Sequence, residues 1–168
     1  MKKIKVKGLL FVAACFAILI YTNGCHKSYD PGYASCSPVP VDHDSSVLLK
    51  FASDHKITPT KDPSGMYYEI VGFGSGPGPQ LTSTIYVTYV GKLMDGTTFD
   101  SVGNSTKTGW VLNTLLEGWQ IGLPKIYSGG RIKLLLPSAL AYKCAGTGDG
   151  RVPQDAPVYY DIELASFN

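Results

Sequence analysis

"YVTYVGKLMDGTTFDS", residues 86–101, reads as a strand, a tight turn and a second strand. With the two residues before it, the first strand alternates. Ile85, Val87, Tyr89 and Gly91 share one face, and Tyr86, Thr88 and Val90 share the other. Asp95-Gly96 is the strongest hairpin signal in the chain, because glycine accepts the positive φ that such turns demand. The second strand carries Phe99 directly beside Asp100, a large apolar side chain next to an acid. A hairpin that ends on a large apolar side chain beside an acid needs a reason.

The flanking segments extend this hairpin into a sheet. "MYYEIVGFG" (66–74), "RIKLLLP" (131–137) and "VYYDIELAS" (158–166) are strands by their content of β-formers. "SGPGPQLTS" (75–83) and "YKCAGTGDGRVPQDAP" (142–157) are loops rich in glycine and proline. "TLLEGWQIGL" (114–123) predicts a short helix with Leu115, Leu116, Trp119 and Leu123 on one face. Upstream, "DHDSSVLLKFASDHKI" (42–57) predicts an amphipathic helix capped by Asp44 or Ser45. Its apolar stripe of Val47, Leu48, Phe51 and Ala52 packs either on the main domain or on a second copy. Strands outnumber helices and their links are hairpin-like. An α+β fold with one antiparallel sheet follows, preceded by one N-terminal helix.

The first residues have another character. "MKKIKVK" is basic, and "GLLFVAACFAILIY" is an apolar run of fourteen residues, short of the ~20 that span a membrane but long enough for a signal-peptide core. "TNGC" follows. Gly24 before Cys25 resembles the lipoprotein processing site, which makes Cys25 the lipidated new amino terminus; Thr22 stands where leucine is usual. Plain secretory cleavage nearby is the alternative. The expected organisation is a lipoprotein signal peptide over 1–24, a flexible tether over 25–40, a helical segment over 41–65 and the main domain over 66–168. Such a chain is lipid-anchored in the cell envelope, with the outer membrane, periplasmic or surface face, as the expected site. A monomer is expected.

Export permits a disulfide. Cys36 and Cys144 either form one, or Cys144 is a buried free thiol. The formal charge is +2, but four of the fifteen basic residues lie in the first seven positions, and no acid precedes Asp30. Without residues 1–24, eleven basic residues face thirteen acidic ones, which leaves no basic surface for a nucleic acid. The three histidines, His26, His43 and His55, precede the sheet, so a serine-type triad is not supported. No His/Cys pair has zinc spacing, and neither "GFGSGPG" nor "GTGDG" completes a nucleotide-binding pattern. The expected cofactors and metals are none. What remains is a store of aromatic residues on the sheet and short helix.

"VTYVGKLMDGTTFDS", "LLEGWQIGLPKIYSGGRIKLLLPSALAY" and "VPQDAPVYYDIELASFN" resemble, in order and spacing, the FKBP-type peptidyl-prolyl cis-trans isomerases. The resemblance implies an antiparallel sheet of five or six strands curled around a short helix. It implies an apolar pocket for proline, with Tyr89, Phe99, Asp100, Trp119 and Tyr142 as catalytic residues. Phe99 walls the pocket, Asp100 lies at its rim within reach of Tyr89, Trp119 forms the floor, and the Tyr142 hydroxyl reaches the bound carbonyl. Trp110, Leu115, Leu116, Val152 and Tyr160 complete the substrate-binding set, with the Leu116 amide as a donor. Tyr160 stands where the family more often has phenylalanine, and Lys143 follows Tyr142 where the family usually has glycine. The implied activity is rotation of X-Pro bonds in exported, proline-containing polypeptides. The alternative is a chaperone or binding module that grips such segments without turnover.

Overall fold

Successive side chains of a strand point to opposite faces, and β3 (Thr84–Leu93) obeys the rule with Ile85, Val87, Tyr89 and Gly91 all buried. The computed structural model describes residues 36–37 and 39–168. The leader, Cys25 and residues 26–35 of the tether lie outside the described residues. Six further strands join β3: β1 (Thr60–Lys61), β2 (Tyr67–Gly72), β4 (Thr98–Val102), β5 (Trp110–Val111), β6 (Gly130–Leu136) and β7 (Val158–Phe167). Every pairing is antiparallel, and the spatial order is β1-β2-β6-β7-β3-β4, with β5 also on β3. The sheet has seven strands rather than five or six because two-residue strands, too short to show any alternation in sequence, pair at β1 and β5.

The middle of the sheet is buried on both faces. Leu134, Leu136, Tyr160 and Ile162 enter one core with Trp119 and Leu123, while Leu135 and Tyr159 enter a second core with Leu48, Phe51 and Ala52. That is why β6 and β7 carry consecutive apolar residues instead of an alternating pattern. The second core is closed by α1 (Ser45–Asp54), which lays Leu48, Phe51 and Ala52 on the sheet of its own chain. Val47 stays exposed. The predicted cap is corrected: Asp44 stands at the N-cap but makes no capping bond. Its buried carboxylate instead accepts the Ser138 N–H (2.8 Å) and Ser138 hydroxyl (2.7 Å), tying the start of α1 to the chain beyond β6.

On the opposite face lies α2 (Glu117–Gly122), shorter than the sequence suggested. Leu115 and Leu116 are extended and precede it, so they do not share a helical face with Trp119. The Leu116 carbonyl accepts the Trp119 and Gln120 N–H groups, and the helix begins there. Gly118 lets α2 settle on β6, since a Cβ at that position would sit 2.4 Å from Leu136 Cδ2. Among the described residues, no helix is long and apolar enough to cross a membrane.

The carboxylate of Asp44 is the test of how α1 is fastened. Asp44→Ala strands a buried N–H and a buried hydroxyl, which costs about 1–3 kcal/mol. Urea unfolding is expected to show that loss of stability with the slope unchanged.

Candidate active site

The Phe99-Asp100 pair is explained by an irregularity in strand pairing. Gly91 of β3 faces Asp100 of β4, yet the next residue, Lys92, faces Thr98. Phe99 is the extra residue of a β-bulge, where two residues of one strand oppose one of the other and alternation is interrupted. Phe99 is buried in the core, and its neighbour Asp100 still reaches the inward-facing Tyr89. The Tyr89 hydroxyl donates to Asp100 Oδ2 at 2.6 Å. Gly91 leaves room for this arrangement: a Cβ there would lie 2.8 Å from both Phe99 Cζ and Tyr160 Cε1.

The rings brace one another edge to face, the geometry that aromatic quadrupoles favour. Trp119 meets Tyr160 at 5.1 Å between centroids and 90° between planes, and meets Tyr89 at 5.2 Å and 82°. Tyr160 also meets Phe99 (5.6 Å) and Tyr89 (5.9 Å), and Tyr89 meets Trp110 (6.2 Å). Above them is a hollow of about 320 Å³. Its walls bring together Tyr89, Asp100, Trp110, Leu115, Leu116, Trp119, Tyr142 and Tyr160. Two predicted residues stand elsewhere. Phe99 lies behind the wall, edge-on to Tyr142 and Tyr160, and Val152 is 1% exposed within the core. They support the lining and do not form it.

The polar groups around this hollow are few. Tyr142 and Tyr160 share a hydroxyl–hydroxyl bond of 2.7 Å. The Leu116 N–H donates to no group among the described residues, and the Trp119 indole nitrogen is buried without a partner. Burial pushes the phenols of Tyr89, Tyr142 and Tyr160 above the ordinary tyrosine range, and the Asp100 carboxylate adds to the rise at Tyr89. Each therefore stays protonated, able to donate, at neutral pH. Among the described residues no His/Cys/Asp/Glu cluster is arranged to hold a metal.

A family model described as FKBP-type peptidyl-prolyl cis-trans isomerase matches residues 76–165, which contain every residue of this hollow. The chain belongs to this family. It is 37% identical over 105 residues to "FK506-binding protein 4" of Dictyostelium discoideum, covering 62% of this chain and 29% of that protein. It is 34% identical over 116 residues to the FKBP-type isomerase FkpA of Escherichia coli, covering 68% of this chain and 42% of the relative. The crystal structure of Escherichia coli FkpA superposes with a TM-score of 0.64 at 30% identity, over 76% of this chain and 60% of that one. The chain thus spans less than half the length of these curated relatives.

The loop after Tyr142 is fastened by a covalent bond. Cys144 is joined to Cys36 by a disulfide, with 5.3 Å between Cα atoms and a sequence separation of 108. Lys143 adopts a left-handed φ of 54°, a conformation that suits the glycine usual there and disfavours a side chain. It is held by the bonded Cys144, by Asp155, whose N–H donates to the Lys143 carbonyl (3.0 Å), and by a pairing of its ammonium with Glu117 at 3.6 Å.

Sequence reasoning missed two residues. Thr114 contributes to the wall from the turn before Leu115. Arg151 donates to the Phe99 carbonyl at 2.8 Å while its guanidinium pairs with Asp149, whose carboxyl is held at about 2 by bonds from the Arg151 and Thr147 side of the loop. A lone arginine beside an acid in "GDGRV" was the only available signal.

The disulfide and Arg151 hold the Tyr142 loop from its two ends. Cys36→Ser with Cys144→Ser is expected to lower stability by roughly 2–4 kcal/mol. Amide exchange in residues 143–152 is expected to rise at the same time, while β7 remains protected.

Proposed function

We propose that this chain is a peptidyl-prolyl cis-trans isomerase of the bacterial cell envelope that accelerates X-Pro rotation in exported polypeptides. The observation that carries the reading is the Tyr89–Asp100 bond inside a ring-lined hollow. It fixes a rim acid and a wall phenol while leaving the floor over Trp119 apolar. Membership of the isomerase family, with bacterial FkpA among the relatives, supports it.

The chemistry needs no nucleophile. Rotation about an X-Pro amide meets a barrier of about 18–20 kcal/mol because it breaks resonance. The planar amide carries more charge separation than the twisted one, so water stabilises the ground state more. An apolar hollow removes that bias. The proline ring rests on the Trp119 indole between the Tyr89 and Tyr160 rings. The Leu116 N–H and Tyr142 hydroxyl hold the preceding carbonyl while the nitrogen side turns. Binding the twisted form better than either planar form is the whole of the catalysis. Asp100 acts in this scheme by holding Tyr89 and shaping the rim, without transferring a proton.

The envelope location rests on the leader and Cys25, read as a signal peptide and lipid anchor. Their place in the chain fits clients that have just crossed a membrane and still carry slow prolines. The charged groups of Lys143 and Glu117, which line a surface depression on the other side of Leu115 and Leu116, are compatible with a binding module that grips proline segments without turning them over. The turnover assay separates the two.

Isomerisation of succinyl-Ala-Leu-Pro-Phe-p-nitroanilide is the assay. Turnover equal to the uncatalysed rate would leave only the binding module. Asp100→Asn is expected to reduce kcat/KM by about ten-fold, the worth of a bond to a charged group. Because the lining has no histidine and its phenols are pushed upward, kcat/KM is expected to stay flat between about pH 6 and 9. A bell centred near neutrality would reject the role given to Asp100.

A further inference from the structure

The hydroxyl of Tyr160 has no structural need to exist. Its ring fills the core between Phe99, Tyr89 and Trp119, a space that a phenylalanine ring would fill equally well. Yet the residue is 2% exposed and carries a phenol into an apolar core. Among the described residues, the Tyr160 hydroxyl has one hydrogen-bond partner, the Tyr142 hydroxyl at 2.7 Å.

Each phenol has one proton to give and lone pairs with which to accept. Both rings line the hollow, but Tyr160 is 2% exposed and Tyr142 only half-buried. If Tyr142 donates, the Tyr160 proton has no acceptor among the described residues, which forfeits the solvation that a buried donor must recover. If Tyr160 donates, the leftover proton belongs to Tyr142, which lines the hollow and can offer it to an occupant. The second arrangement satisfies both groups.

We propose that Tyr160 is a positioning residue: its hydroxyl donates to Tyr142 Oη and thereby aims the Tyr142 proton at the carbonyl of a peptide held in the hollow. The proposal rests on the reading that Tyr142 meets that carbonyl. Accepting a bond also polarises the Tyr142 O–H and makes it a better donor. The Tyr142 hydroxyl is thus set before substrate arrives, and less orientational freedom is lost on binding.

The test is a double-mutant cycle on the full chain with Tyr160→Phe, Tyr142→Phe and both together. Each variant keeps its ring, so the packing of the core is retained. On succinyl-Ala-Leu-Pro-Phe-p-nitroanilide, Tyr160→Phe is expected to lower kcat/KM about five-fold, and to have no further effect once Tyr142 is phenylalanine. An unchanged rate, or the same loss in both backgrounds, overturns the proposal, because the residue then acts by packing or not at all. A second readout needs no substrate. The Cζ resonance of Tyr142 in 13C-tyrosine-labelled protein is titrated with and without the Tyr160 hydroxyl, while the charged neighbours Asp100, Asp149 and Arg151 stay in place. An upward shift of the Tyr142 titration in Tyr160→Phe is expected; a downward shift means Tyr142 was the donor, and no shift means no bond, either of which overturns it. A chain that bound its aimed proton in this way but turned over no peptide would reject the isomerase reading alone.

Discussion

The pleat of β7 sends Tyr159 and Tyr160 to opposite faces of the sheet, and both faces must be covered. On one side α1 covers Tyr159 and Leu135 with Leu48, Phe51 and Ala52. On the other, α2 brings Trp119 onto Tyr160. β7 lies between β6 and β3 in the sheet order, so its register fixes where both helices can rest. A slip of one residue would exchange the two tyrosines and empty both cores at once.

The hollow is a consequence of how the second face is covered. Four rings, Tyr89, Phe99, Trp119 and Tyr160, meet edge to face, and a T-shaped contact leaves space that a parallel stack would fill. The bulge at Phe99 and the missing side chain at Gly91 let that ring enter the core while Asp100 still reaches Tyr89. The hollow between these braced rings leaves apolar surface uncovered in the folded chain, surface that an apolar partner would bury. The few polar atoms there, the Tyr89–Asp100 and Tyr142–Tyr160 pairs, are already bonded to each other. Folding therefore sets their directions in advance.

The loop from Tyr142 to Pro157 depends on other physics. It has five glycines or prolines, few apolar anchors and a left-handed lysine, so burial alone does not order it. A disulfide at Cys144 and the Arg151 bond to the Phe99 carbonyl fasten it instead. Tyr142 sits at the start of this loop, its ring packed on the core edge-on to Phe99 and its hydroxyl bonded to Tyr160.

Periodicity and composition alone determined that the chain is α+β, that residues 84–93 present Tyr89 inward, and that an amphipathic helix precedes the sheet. These properties are local: a strand of period two or a helix of period near four is written in neighbouring residues. The grouping of Trp119, Tyr142 and Tyr160 in one site came instead from the resemblance of three separated motifs to the family. Only tertiary structure decided that Phe99 and Val152 support the hollow from behind, and that Asp44 fastens α1 to Ser138 without capping it. It also decided that Arg151 holds the loop and that two tyrosine hydroxyls meet. Each of these is a contact between residues far apart in sequence, chosen by a bulge, a close approach or a buried donor seeking an acceptor. Such choices depend on distances that exist only once the sheet has closed on both of its helices.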